Sequence, residues 1–297
     1  MRAARALAAL LLLASPAAAE APAEFVAALS WPRAEGLGGI SGVETDDGTR
    51  LLAVTDRGRL VTARLRRGAD GAPEAIEDVA LAPLLDARGR PGGRGMSDAE
   101  GLALLPSGGL AVSYEGGEPG VVEWEGPAGP GARLPAGPGW GELHPNRGLE
   151  ALAVDPEGRL VAIGEGGGTE AEIAVWRRYG RGWDMPYALP RRPPFVAVGA
   201  DWGPDGRLYL LERDVRLPFG FASRVRRFEI EGDAVLSEET LIETRPGRHG
   251  NLEGLAVWQD ADGAIRLTMV SDDNFSTWQR GQIVEYRLPP EAPAPHG

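Results

Sequence analysis

The sequence predicts an all-β chain closed into one β-propeller of five four-stranded blades, and three observations carry that expectation. A glutamate-led opening recurs: DAEGLALLPSGGLAVSYEGG begins at Asp98, GLEALAVDPEGRLVAIGEGG at Gly148 and NLEGLAVWQDADGAIRLTMVSDD at Asn251. Two further segments, GGISGVETDDGTRLLAVTDRG from Gly38 and VAVGADWGPDGRLYLLER from Val196, fit the same frame without the glutamate. Long helical periodicity is missing and glycine is abundant, 43 of 297 residues, which leaves many short strands and turns.

Each unit reads as an apolar strand, a Pro/Asp/Gly turn, a second apolar strand and an acidic-glycine corner. A third, alternating strand follows: LVTARLR from Leu60, GVVEWEG from Gly120, EIAVWRR from Glu172, SRVRRFEI from Ser223 and GQIVEYRL from Gly281. Weaker fourth strands come next, such as AIEDVAL from Ala75 and LSEETLIET from Leu236. Four antiparallel strands repeating about every fifty residues is the pattern of propeller blades. The fifth unit runs out near Leu288 with three strands, and an orphan strand, EFVAALSW from Glu24, precedes the first. Pairing the two supplies the missing outer strand and removes exposed edges. Six blades is the alternative if the Gly/Pro-rich stretch 88–95 hides degenerate strands. A β-sandwich with recurrent turns is the other competing architecture.

The N-terminus reads as a signal peptide over 1–19. Arg2 and Arg5 precede an apolar run at 6–14, and Ala17-Ala18-Ala19 supplies the small residues for cleavage before Glu20. That run is too short to span a bilayer. The expected layout is therefore a propeller over 20–288, a disordered Pro-rich tail over 289–297, and a periplasmic or secreted location. With no cysteine there is no disulfide, thiolate nucleophile or thiolate zinc site. The formal charge of −12 argues against nucleic acid or an anionic membrane as partner. A monomer acting on a small anionic ester is expected.

The start of a blade's first strand lies beside the end of its second. Glu100, Glu150 and Glu253 begin first strands, while Asp56, Glu115, Glu165, Glu212 and Asp272 sit at or just beyond the ends of second strands. Both sets are therefore expected on one face, with the three glutamates around the channel mouth. Crowded carboxylates raise one another's pKa unless cations offset them. Oxygen ligands of this kind suit a divalent cation, calcium foremost. With only His144, His249 and His296, a histidine-rich zinc or copper site is not expected. Glu100, Glu150, Glu253, Asp56 and Asp272 are the candidate metal ligands; structural ion pairs with Arg57, Arg147 or Arg213 are the competing explanation. Arg57, Arg94, Arg147, Arg248 and His249 lie close by in sequence, and the arginine fork matches phosphate or carboxylate oxygens.

Several catalytic-looking strings fail. Arg248-His249-Gly250 opens like RHGxRxP but continues Asn251-Leu252-Glu253. GGISG around Ser41 lacks the second glycine of a nucleophile elbow, because Val43 stands there. The glycine-rich 164–168 has no lysine for a phosphate loop. SDDN from Ser271 lacks the spacing of an EF-hand.

The GGISG opening, the recurrent EGLA-type strands and the late SDDNF from Ser271 resemble the bacterial family described as "esterase-like activity of phytase", across essentially the whole mature chain. The resemblance implies an exported propeller, related in architecture to calcium-dependent propeller phytases, that hydrolyses esters. The expected function is thus a metal-dependent ester hydrolase acting on phosphoesters. Asp56, Glu100, Glu150, Glu253 and Asp272 hold the ion, Arg57, Arg147 and Arg248 bind the substrate, and His249 protonates the leaving group. A non-catalytic ligand- or protein-binding propeller and a calcium-dependent lactonase are the alternatives.

Overall fold

The computed structural model describes residues 23–92, 96, 98–116, 118–144, 147–165, 168–274, 279 and 281–289. The expected signal peptide 1–19, Arg94 and residues 290–297 of the expected tail lie outside them. Five antiparallel sheets form the five blades. Blade 1 is Ile40–Glu44, Arg50–Thr55, Arg59–Arg67 and Pro73–Pro83. Blade 2 is Ala99–Leu104, Leu110–Tyr114, Gly120–Trp124 and the two-residue Ala132–Arg133. Blade 3 is Ala151–Val154, Leu160–Ile163 and Glu172–Tyr179, whose outer edge is shared by the short Gly182–Asp184 and Ala188–Pro190. Blade 4 is Val196–Trp202, Leu208–Arg216, Gly220–Glu231 and Ala234–Glu243. Blade 5 is Asn251–Gln259, Ile265–Asp272 and Gln282–Arg287, completed by Glu24–Ser30.

That last pairing, from Glu24 opposite Arg287 to Ser30 opposite Gln282, is the expected ring closure by the N-terminal strand. The stretch that could have hidden a sixth blade contributes only an isolated bridge, Leu85 to Pro91, among the described residues. The only helix among them is a single 3-10 turn, Trp140–Glu142.

The repeat has a local cause at each first hairpin. In blade 3, Asp155 Oδ1 accepts hydrogen bonds from the backbone N–H groups of Glu157 and Arg159, while Gly158 adopts φ +78°. An aspartate followed by a left-handed glycine is the chemistry of such a turn. Innermost strands touch one another in the order of the blades, and the fifth returns to the first. There the glycine after each opening residue is a matter of space. A Cβ on Gly101 would lie 2.5 Å from the backbone nitrogen of Leu152, and one on Gly199 2.4 Å from the carbonyl oxygen of Glu253. Blade 3, with Ala151 at this position, is the exception.

Burial follows the same five-fold logic. The core consists of five clusters, each wedged between consecutive blades. Trp140, Trp176 and Trp183 fill the space between blades 2 and 3, for example, and Tyr209, Leu211, Leu255 and Leu267 that between blades 4 and 5. No blade buries both of its faces without its neighbours.

Candidate functional site

A bulge in the innermost strand aims the site. Register shifts fall between Ile40 and Gly42, Ala99 and Leu102, Ala197 and Gly199, and Leu252 and Gly254. An extra residue at a bulge re-aims its side chain, a device common beside functional sites. The residues before the tight glycine, or before Ala151, are Ser41, Glu100, Glu150, Val198 and Glu253. They form an inner ring at one mouth of the channel. An outer ring comes from residues at or just past the partners of the strand starts: Asp56, Glu115, Glu165, Arg213 and Asp272. Asp56, Glu115 and Glu165 donate backbone N–H groups to Gly39, Asp98 and Gly148, Arg213 pairs with Val196, and Asp272 with Asn251.

Ser41, Asp98 and every member of these rings except Val198 line one pocket of about 330 Å³. All five predicted metal ligands, Glu100, Glu150, Glu253, Asp56 and Asp272, are thus brought together. Glu212 is not among them. It is fully buried on the other side of its strand, accepting hydrogen bonds from Arg224 Nε (2.7 Å) and from Arg226 Nε (2.8 Å) and Nη2 (2.7 Å). Side chains alternate along a strand, so a shift of one residue exchanges faces. The mouth position belongs to Arg213 instead.

Glu100, Glu115 and Glu150 each place a carboxylate oxygen within 4.8 Å of the other two. Glu150 is 6% exposed, and its Oε1 is buried without a hydrogen-bond partner among the described residues. Glu100 is raised well above the carboxylate range by burial and by the charges of Glu150, Glu253 and Glu115. Glu150 is raised likewise by burial and by Glu115 and Glu165. Burial pushes Glu253 up to about 7 although Arg213 pulls the other way, and burial with Asp272 pushes Asp56 up to about 6. Burial raises Asp272, Glu115 and Glu165 too. At the far ends of the innermost strands, Glu44 and Asp201 form a second buried acid pair. Glu44 is raised by burial and Asp201's charge, and Asp201 is pushed up to about 7 by burial.

These directions fix a pH dependence. Carboxyls that hold protons more tightly when folded stabilise the fold at low pH, and that contribution is lost as pH rises through their folded pKa values. In chelator, Tm is therefore expected to fall between about pH 4, the ordinary carboxylate value, and the raised values near 6 and 7. Excess calcium should flatten that fall, and Glu253→Gln should weaken it. A chelated Tm that climbs over this range would contradict the charge crowding described here.

The predicted substrate and acid groups lie elsewhere. Arg57 and Arg147 are exposed at the rim, where Arg57 lowers Asp56 and Arg147 Nε stands 3.5 Å from Glu165. Arg248 stacks over the Phe25 ring at 4.7 Å. His249 is buried beside it, its Nε2 2.8 Å from the Tyr286 hydroxyl. Burial and Arg248 hold His249 down to about 4, so near pH 7 it is a neutral imidazole and not an imidazolium acid for a leaving group. None of these four lines the pocket. Sequence reasoning missed Asp98 and Ser41 as lining groups and put Glu212 where Arg213 stands, although Arg213 does form an ion pair with Glu253, as the competing explanation expected; counting outward from the strand start to the bulge would have found them.

A cavity of about 760 Å³ adjoins the mouth rather than coinciding with it. Trp31, Pro32, Leu37, Ile40, Ser271 and Asp273 are among its walls. Gly39 forms the partition, donating its N–H to Asp273 Oδ1 (3.1 Å) and accepting from the N–H of Asp56 (2.7 Å).

Fold and site define a five-bladed propeller with a carboxylate-lined mouth suited to a hard cation. Residues 35–275 match the phytase-like family, described as "esterase-like activity of phytase", and the chain belongs to that family. Among solved structures it is similar to the α-L-arabinofuranosidase PaAbf62A of Podospora anserina, at 13% identity over 90% of this chain and 97% of that one, with a TM-score of 0.51. It is also similar to the aldose sugar dehydrogenase of Streptomyces coelicolor (15% identity, 90% and 99% covered, TM-score 0.46). A third likeness is to the gluconolactonase XC5397 of Xanthomonas campestris (13%, 92% and 99%, 0.41). Identities this low speak to the fold alone. Comparison with curated proteins found no match.

Proposed function

We propose that this protein is an exported, cation-assisted hydrolase of uncharged carboxylic esters, lactones included. The observation that carries the reading is the Glu100, Glu115 and Glu150 triad, with the buried, unpartnered Oε1 of Glu150. An all-oxygen donor set of this charge fits a hard divalent cation, calcium foremost, better than zinc or copper. When bound there, the cation supplies Lewis acidity, polarising an ester carbonyl and making water a better nucleophile near neutral pH.

The chain's own groups supply the rest. Asp56, with its buried Oδ1 unpartnered among the described residues and its pKa raised to about 6, takes the proton from the attacking water and returns it to the alkoxide oxygen as the acyl C–O bond breaks, so that the alcohol leaves neutral. The cavity behind Gly39 receives the organic part of the substrate, against Trp31, Leu37 and Ile40. Charge selects the ester type. Among the described residues, eight carboxylates and one arginine line the mouth, a field that repels a phosphoester dianion far more than a neutral ester. Arg57, Arg147 and Arg248, expected to cradle phosphate, do not line the pocket, which turns the reading from phosphoesters to carboxylic esters. The site is completed within one chain, so a monomer suffices. Cleavage before Glu20 belongs to the same reading and is checked by the N-terminal mass of the exported protein.

The deciding experiment compares aryl carboxylate, lactone and aryl phosphate panels with calcium and with chelator. Chelator-sensitive turnover of the uncharged esters, with aryl phosphates at least about tenfold slower, is expected. Faster phosphate turnover would overturn the ester assignment. A calcium-loaded protein inert on every panel would make this a binding propeller instead.

A further inference from the structure

The five-fold repeat allows the mouth to be compared with itself. Blades 2, 3 and 5 each place a glutamate in the inner ring and an acid in the outer ring: Glu100 with Glu115, Glu150 with Glu165, Glu253 with Asp272. Blade 1 supplies Ser41 and Asp56. Blade 4 alone puts Val198 and Arg213 at the equivalent places. Arg213 does not pair with its own blade. Its Nη1 reaches blade 5, donating to Asn251 Oδ1 at 2.9 Å and to Glu253 Oε1. Asn251 Nδ2 donates to that same Glu253 oxygen at 2.7 Å. The guanidinium is therefore anchored on Asn251 and Glu253 of blade 5, although from blade 4 its charge also lowers Glu165 and Glu150 of blade 3.

We infer that Arg213 is a built-in counter-cation which takes the place of a second metal ion and limits the mouth to one. This rests on the cation reading proposed above and adds the number of ions to it. Glu253 and Asp272 line the same pocket, Asn251 is the strand partner of Asp272, and Asn251 adds a carbonyl oxygen, so without the guanidinium they form a second set of hard oxygen donors. With it, one of their two charges is met and the Glu253 oxygen nearest to it is engaged. The site then faces a substrate with one divalent ion and one guanidinium, not with the paired metals of a two-ion clamp. Arg213 is thus a specificity-determining residue. It fixes the number of ions and hence how much negative charge a substrate can bring.

The test is a count of bound ions by equilibrium dialysis with calcium, cross-checked by terbium luminescence titration, on the purified mature protein. One ion is expected for the parent and for Arg213→Lys, and two for Arg213→Gln. Glu253→Gln should keep the single ion with affinity changed by less than about threefold, because Glu253 is engaged by Arg213 rather than by metal. That variant serves even if Arg213→Gln fails to fold. Two ions in the parent, one in a folded Arg213→Gln, or loss of the ion in Glu253→Gln would each overturn this inference while leaving a metal site standing. No ion in the parent would remove the metal reading as well.

Discussion

Glu150→Gln is expected to lower ester turnover by roughly 100- to 1,000-fold, equivalent to about 3–4 kcal/mol of lost transition-state stabilisation. Glu150 has a carboxylate oxygen within 4.8 Å of one from each of Glu100 and Glu115, and its Oε1 has no hydrogen-bond partner among the described residues. Glutamine keeps the shape but brings one neutral oxygen and an amide whose N–H groups face carboxylates. The calcium-dependent rise in Tm should vanish with the activity. Metal-free stability should hold or improve, since the substitution removes a buried acid that burial and its neighbours already disfavour as an anion. Turnover and calcium-shifted Tm, measured on parent and variant together, decide the matter. Full activity in a Glu150→Gln protein that still responds to calcium would remove this residue from the site.

The second large effect is structural. Glu212→Ala is expected to destabilise the fold by about 3–5 kcal/mol, the usual result of stripping one partner from a buried ion pair. Glu212 is fully buried, and Arg226, 1% exposed, gives it two hydrogen bonds, while Arg224 adds a third. Arg226 also reaches Glu238 and Arg224 reaches the carbonyl of Arg192, so the loss is cushioned but not cancelled. Against a typical stability of about 5–15 kcal/mol, such a loss is a large fraction. Urea unfolding measures it. Adding Arg226→Met to Glu212→Ala should recover part of the loss, because one stranded charge is then replaced by an apolar side chain. A loss below about 1 kcal/mol would mean that water reaches both guanidiniums.

Most of the fold was legible because the repeat writes the same instruction five times. The aspartate–glycine turn at Asp155 and Gly158 and the tight glycine at Gly101 or Gly254 mark blade and channel independently of overall hydrophobicity. The closing strand was legible from a deficit, since the fifth unit had three strands and Glu24–Ser30 had no partner. What the sequence concealed was phase. Glu212 and Arg213 are adjacent, and which of them faces the mouth depends on the bulge at Val198, a register shift that period-two reasoning does not register. His249 and Arg248 failed for another reason. Nearness in sequence to Glu253 placed them at the site, whereas Phe25, brought by the far end of the chain, and Tyr286 hold them against the outer strands of blade 5.

The sheet made from both chain ends has a consequence for how the molecule comes into being. Ser30 and Gln282, neighbours across that seam, are 252 positions apart. A polypeptide delivered from its N-terminus therefore carries an unmatched strand through almost its whole synthesis, and the circle locks only when the last strand arrives. Long-range pairings of this kind are slow to form and leave sticky edges meanwhile. Losing a few residues from the C-terminal strand would do more than shorten the protein: it would leave a broken hoop with two free lips, each ready to capture another copy.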